Sequence, residues 1–154
     1  MTKIFAIDPG TVKCGYAVME GDKLLERGFV EQPAGDDSMD RCSVITQQLF
    51  YNISFHQPDK VICEYPHKGG PGMKSKSITI LFHFCGMVHS LMNHIAVPIE
   101  FVEPIIWKGN QPKSAHHPKV LQKCRNKYGV DITNDTEDTI EAVGLGMWYS
   151  KSIS

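Results

Sequence analysis

Apolar runs in this chain are short and end on polar or turn-forming residues. The first, Lys3-Ile4-Phe5-Ala6-Ile7, closes on Asp8-Pro9-Gly10, where Pro and Gly stop a strand and open a turn. Cys14 to Met19 and Leu24 to Val30 read as two more strands, joined by Glu20-Gly21-Asp22-Lys23, a link short enough for an antiparallel hairpin. Past a polar loop at 32–38, the residues Met39, Cys42, Ile45, Leu49 and Ile53 follow helical spacing and predict a helix over 38–56, ended by Pro58. Lys60-Val61-Ile62-Cys63-Glu64 is a short buried strand with a carboxylate at its end. Residues 66–77, rich in Gly, Pro and Lys, predict a loop or arm. A long apolar helix over 77–95 and a strand over 99–103, broken by Pro104, come next. A basic loop at 109–118 leads to a helix over 119–127 that Gly129 closes. The last helix is expected to start from Asn134, with Glu137 as capping-box partner, and to run to Tyr149.

This order predicts an α/β fold in a single domain over 1–154: a five-stranded mixed sheet, three strands antiparallel and two parallel strands added by crossovers, flanked by helices. It is the element order of a ribonuclease H-like domain. In open α/β sheets sites gather at the carboxyl ends of strands, and Asp8 and Glu64 both stand there on strands expected to be neighbours.

Composition changes the picture little: 42% hydrophobic and 21% charged residues suit a folded domain, with no apolar run of membrane-spanning length. The first residues carry no leader-like apolar stretch, and the five cysteines are scattered without Cys-x-x-Cys, so an intracellular protein with reduced thiols and no zinc site is expected. Charge is more informative. The net charge of −1 divides into +7 over residues 65–127 and −4 on each flank, the pattern of a cationic surface beside an acidic pocket. A solvated surface without a partner would read the same way.

Candidate chemistry rests on four carboxylates, Asp8, Glu64, Asp138 and Glu141. Asp138 and Glu141 are three positions apart near a helix start, so they share a face, although Asp135, Glu137 and Asp138 could equally decorate a solvated first turn. Asp8 could simply serve its turn. Glu64 is harder to dismiss, because a carboxylate that closes an apolar strand is costly to bury without a partner or a cation. Oxygen ligands of this kind suit Mg²⁺ or Mn²⁺, and two such ions can activate water and stabilise a leaving oxygen in phosphodiester hydrolysis. On this reading Asp8 bridges two ions per site and Glu64, Asp138 and Glu141 complete their shells.

Ile7-Asp8-Pro9-Gly10-Thr11 with Gly15-Tyr16-Ala17, Val61-Ile62-Cys63-Glu64, Pro104 with Lys108, Lys119-Val120, and Asp138-Thr139-Ile140-Glu141-Ala142 resemble, in order and over nearly the whole chain, the RuvC family of Holliday-junction resolvases. The resemblance implies a ribonuclease H-like fold, a homodimer, Mg²⁺ or Mn²⁺, and symmetric paired nicks in a four-way DNA junction that leave 5′-phosphate and 3′-hydroxyl ends. It also implies that the four carboxylates bind the metals and that Lys108 and Lys119 assist at the scissile phosphate. Glu141 departs from the commoner Asp. The aromatic wedge expected after Glu64 is replaced by Tyr65-Pro66-His67-Lys68, with Tyr65 or His67 as candidate stacking residues. Lys68, Lys74, Lys76, Lys113, His116, His117 and Lys123 are the remaining candidate DNA contacts. Other branched DNA or RNA as substrate, and a non-cleaving DNA-binding module, are the alternatives. A nucleotide-binding kinase-like fold needs two lobes, and neither a nucleotide cofactor nor a membrane is expected.

Overall fold

The computed structural model describes residues 1–32, 37–66 and 75–153. Its strands are β1 (Lys3–Asp8), β2 (Lys13–Glu20), β3 (Lys23–Glu31), β4 (Lys60–Glu64) and β5 (Ile99–Val102). They form one sheet in the order β3-β2-β1-β4-β5, antiparallel among β1, β2 and β3 and parallel across β1-β4 and β4-β5, as the element order predicts. The helices are α1 (Ser38–His56), α2 (Ser75–His94), α3 (Pro104–Trp107), α4 (Lys113–Tyr128) and α5 (Glu137–Ser152). None among the described residues is long and apolar enough to cross a membrane.

Strand side chains alternate between two cores, which is why β1 and β4 read as continuous apolar runs. Phe5, Ile7, Val61 and Cys63 face α1 and α2, where Cys42, Ile45, Leu49 and Ile53 supply the helical stripe. Ile4 and Ile62 face the opposite core with Val143, Leu145 and Val120 from α5 and α4. Helix α1 has the expected bounds. Its Asp37 side chain accepts from the Met39 and Asp40 amides, and Gln57, left-handed at φ 48°, ends it one residue before Pro58.

Three local expectations are corrected. The basic segment 109–118 is loop only to Pro112, for α4 begins at Lys113 and runs through Pro118. A proline there forfeits one helical hydrogen bond, to the Ser114 carbonyl, and both residues lie on the solvent side, where that loss is small. Helix α3, between β5 and the site, was not predicted; Pro104, read as a strand breaker, also opens this turn from its first position. The cap of α5 is Thr136 rather than Asn134: its hydroxyl accepts from the Thr139 amide at 3.2 Å. Glu137 therefore sits in the first turn and not in a capping box.

Candidate active site

The site is built where β1 and β4 end beside the first turns of α5. Parallel pairing of Ile7 with Cys63 sets Asp8 and Glu64 side by side. Asp8 pairs across β1-β2 with Gly15, and a side chain at Gly15 would stand 2.0 Å from the Asp138 carbonyl oxygen. Glycine there lets α5 settle onto the sheet and brings Asp138 to Asp8. Thr139 Oγ1 donates to the Gly28 carbonyl at 3.0 Å, and Arg27 pairs with Asp135, so β3 anchors the same helix start. The buried Arg41 donates to the Thr11 carbonyl at 2.6 Å and fixes the turn that follows Asp8.

All four predicted carboxylates enter one electrostatic cluster, and it has two halves. Lys108 stands between Glu64 and Glu141, its Nζ 3.4 Å from Glu64 Oε2 and 3.0 Å from Glu141 Oε2. Trp107 Nε1 donates to Glu64 Oε2 at 2.8 Å, and His117 Nε2 donates to Glu141 Oε1 at 2.8 Å. The other half is Asp8 and Asp138, close enough for each to act on the other's ionisation.

The shifts set Glu141 apart from the other three carboxylates. Burial, then the charges of Glu64, Glu141 and Asp138, push Asp8 well above the ordinary carboxylate range. Burial also raises Asp138, against the pull of Lys113. Glu64 is raised because burial outweighs Lys108 and the Trp107 hydrogen bond. At Glu141 burial pushes upward too, but Lys108 and the His117 hydrogen bond together hold it below its usual value. Burial would lower Lys108, yet Glu64 and Glu141 overcome it and raise its pKa, keeping the ammonium charged.

Among the described residues no three His, Cys, Asp or Glu side chains are arranged as a ready metal cage. The chemistry of the donor set nonetheless fits a hard divalent cation. It offers carboxylate oxygens, it retains excess negative charge beside the single Lys108, and Asp8 and Asp138 are both raised, so a bound cation would favour their ionised forms.

The other candidates scatter. Lys119 is exposed and donates to Gln111 Oε1, away from the carboxylates. Lys113 pairs with Glu137 at 3.1 Å, Lys76 is exposed at the start of α2, and Lys123 is exposed on α4. His116 is buried edge-on against Trp107 rather than displayed on a loop. Tyr65 packs edge-on against Phe82 and Phe101, under the chain rather than out from it. His67, Lys68 and Lys74 lie outside the described residues. Sequence reasoning missed Trp107 and the role of His117. The signal for Trp107 was its place directly before Lys108; nothing in the sequence links His117 to Glu141 unless residues 113–118 are recognised as helical.

No protein-family model matches the chain. Crossover junction endodeoxyribonucleases RuvC of Parafrankia sp. and Frankia alni are each 30% identical over 67 residues, a stretch that is 40% of this chain and 38% and 34% of those proteins. The chain thus matches little more than a third of the curated relatives' length. Solved structures extend the likeness across the fold. Thermus thermophilus RuvC in complex with a Holliday junction substrate superposes with a TM-score of 0.81, covering 99% of this chain and 95% of that one at 16% identity. Fowlpox virus resolvase with its Holliday junction DNA gives 0.67, covering 97% and 99% at 16% identity. The yeast mitochondrial resolvase Ydc2 gives 0.64, covering 97% and 80% at 14% identity. The five-stranded mixed sheet with flanking helices is the fold these resolvases share.

Proposed function

We propose that this protein is a Holliday-junction resolvase, a structure-specific and divalent-metal-dependent endonuclease that works as a homodimer and nicks two strands of a four-way DNA junction symmetrically. The observation that carries the reading is the meeting of Asp8, Glu64, Asp138 and Glu141 around Lys108, on a fold that follows junction-resolving nucleases from end to end. Two partial matches to RuvC proteins point the same way.

Asp8, Glu64, Asp138 and Glu141 are the residues that would hold Mg²⁺ or Mn²⁺. Such ions, when bound, lower the pKa of a water nucleophile and stabilise charge on the leaving oxygen. The chain's own groups do the rest. Asp8 and Asp138, both raised by burial, would ionise fully as the site fills. Trp107 fixes the Glu64 carboxylate and His117 fixes that of Glu141, so neither must reorganise when the phosphate arrives. Lys108, already charged among carboxylates, can turn toward a non-bridging phosphate oxygen and offset the charge that grows there. The products would be 5′-phosphate and 3′-hydroxyl ends. Junction selectivity would come from two sites at a fixed separation in the dimer, which reach two strands together only on a suitably folded branch.

The test uses synthetic four-way, Y-shaped and linear duplexes with Mg²⁺ or Mn²⁺, alongside Asp8→Asn. Paired nicks in the four-way junction alone, abolished in the variant, are expected. Equal cutting of all three substrates would leave a general nuclease, and binding without cutting would leave a DNA-binding module.

A further inference from the structure

A groove of about 580 Å³ runs between α4 and α5, with Trp107 and Lys108 at one side. Its size falls in the range of about 300–1,000 Å³ typical of small-molecule sites. The α4 wall is a row of lysines, Lys119, Lys123 and Lys127, at i, i+4 and i+8. All three are exposed, and none is in an ion pair among the described residues. The α5 wall presents Gly144, Met147 and the half-buried Trp148, and no Asp or Glu lines the groove. At Gly144 a side chain would meet Val120 Cγ2 at 3.0 Å and Trp107 Cζ3 at 3.1 Å, so glycine lets α4 and Trp107 close tightly on α5 beneath the groove.

One further atom is unexplained by packing. His116 lines the groove, is only 7% exposed, and its Nε2 is the one buried side-chain nitrogen or oxygen among the described residues without a hydrogen-bond partner. That nitrogen is sealed from solvent behind Trp107, so a groove ligand would reach it only after a side-chain shift. A bare phosphate needs no aromatic wall, and an apolar ligand needs no lysines. A nucleotide uses both.

We propose that this groove binds a single nucleotide, its phosphate on the lysine row and its base against Trp148 and Met147. The groove begins at Lys108, which touches Glu64 and Glu141. Resting on the nuclease reading, an unstacked nucleotide of the strand being cut is one source, and its capture would bias which sequence is nicked; a free nucleotide is the other.

The chain has two tryptophans, and both line the groove, so intrinsic fluorescence reports on it, with Trp107 also sensing the carboxylate site through Glu64 and Trp148 the groove alone. The full chain, without divalent metal, is titrated with each deoxynucleoside 5′-monophosphate, a short single-stranded oligonucleotide and inorganic phosphate. Saturable quenching is expected with nucleotide-containing ligands and not with phosphate. Trp148→Leu and Lys123→Ala should each weaken binding about tenfold, the scale of one lost stacking contact or charge. Lys123→Ala keeps the test valid should Trp148→Leu loosen the packing of α4 on α5. Quenching by monophosphates as readily as by the strand identifies a free nucleotide, and quenching by the strand alone identifies the substrate. No quenching, or binding that neither variant weakens, overturns the site. Junction nicking without quenching would sink this inference and leave the nuclease; quenching without nicking would do the reverse.

Discussion

The two ends of the carboxylate cluster, Glu141 and Asp8, are alike in chemistry and opposite in electrostatics. On the α5 side Glu141, its side chain 4% exposed, is gripped by Lys108 and His117 and held below its ordinary pKa. On the sheet side Asp8 meets burial and three other carboxylates, and is driven well above it. Burial pushes all four carboxylates upward, and only at Glu141, which has both Lys108 and His117, do the partners outweigh it. Glu141 is settled without a ligand, and Asp8 is frustrated until something positive arrives.

The largest effect expected from breaking this contrast is at Asp8. Asp8→Asn should reduce metal-dependent nicking at least about a thousandfold, the scale of losing one electrostatic stabiliser of a transition state. It should also raise the metal-free melting temperature at neutral pH. Because the folded pKa of Asp8 is raised, the native state binds that proton more tightly than the unfolded chain does. Stability therefore falls as pH rises from the ordinary carboxylate range through the elevated folded value, and the amide removes that loss. Glu141 has the other sign: its contribution is present above its unfolded pKa and is lost as pH falls through the depressed folded one. Melting curves of both variants against pH, Asp8→Asn and Glu141→Gln, separate the two.

Lys108→Met comes next. It strands Glu64 and Glu141 together, at a cost of about 3 kcal/mol in urea denaturation at neutral pH, with part recovered on acidification as a carboxylate takes up a proton. Trp107→Phe removes only the N–H that holds Glu64. It is expected to cost about 1–2 kcal/mol and to slow nicking without abolishing it. The smallest effect belongs to Lys113→Ala. Its pair with Glu137 matches the Lys108–Glu141 separation to within a tenth of an ångström, 3.1 against 3.0 Å, but the side chains are 64% and 68% exposed. Less than about 1 kcal/mol should be lost, and less still at high salt. Near-equal distances with unequal consequences would isolate the contribution of solvent.

The sheet was legible because its strands announce themselves by short apolar runs ending in Asp8 and Glu64, and α1 by a single unbroken stripe. The start of α4 was not, since Lys113 to Pro118 carries charge, two histidines and a proline and only one strongly buried position, His116. That missed turn hid the environment of His117 and His116. The four carboxylates could be chosen from their places at strand ends and one helix face. Their separation into a half bound by Lys108 and a half without a cation of its own depends on side-chain partners far apart in the chain, such as Lys108 with Glu141, which local pattern does not encode.

The most direct test of a cation site at Asp8 and Asp138 is the shift in melting temperature produced by Mg²⁺ or Mn²⁺ as a function of pH. The wild-type protein should be stabilised by the ion, increasingly as pH rises and the raised Asp8 and Asp138 ionise more readily, and Asp8→Asn should lose most of that gain. An equal shift in wild type and Asp8→Asn, or none in either, would contradict the account.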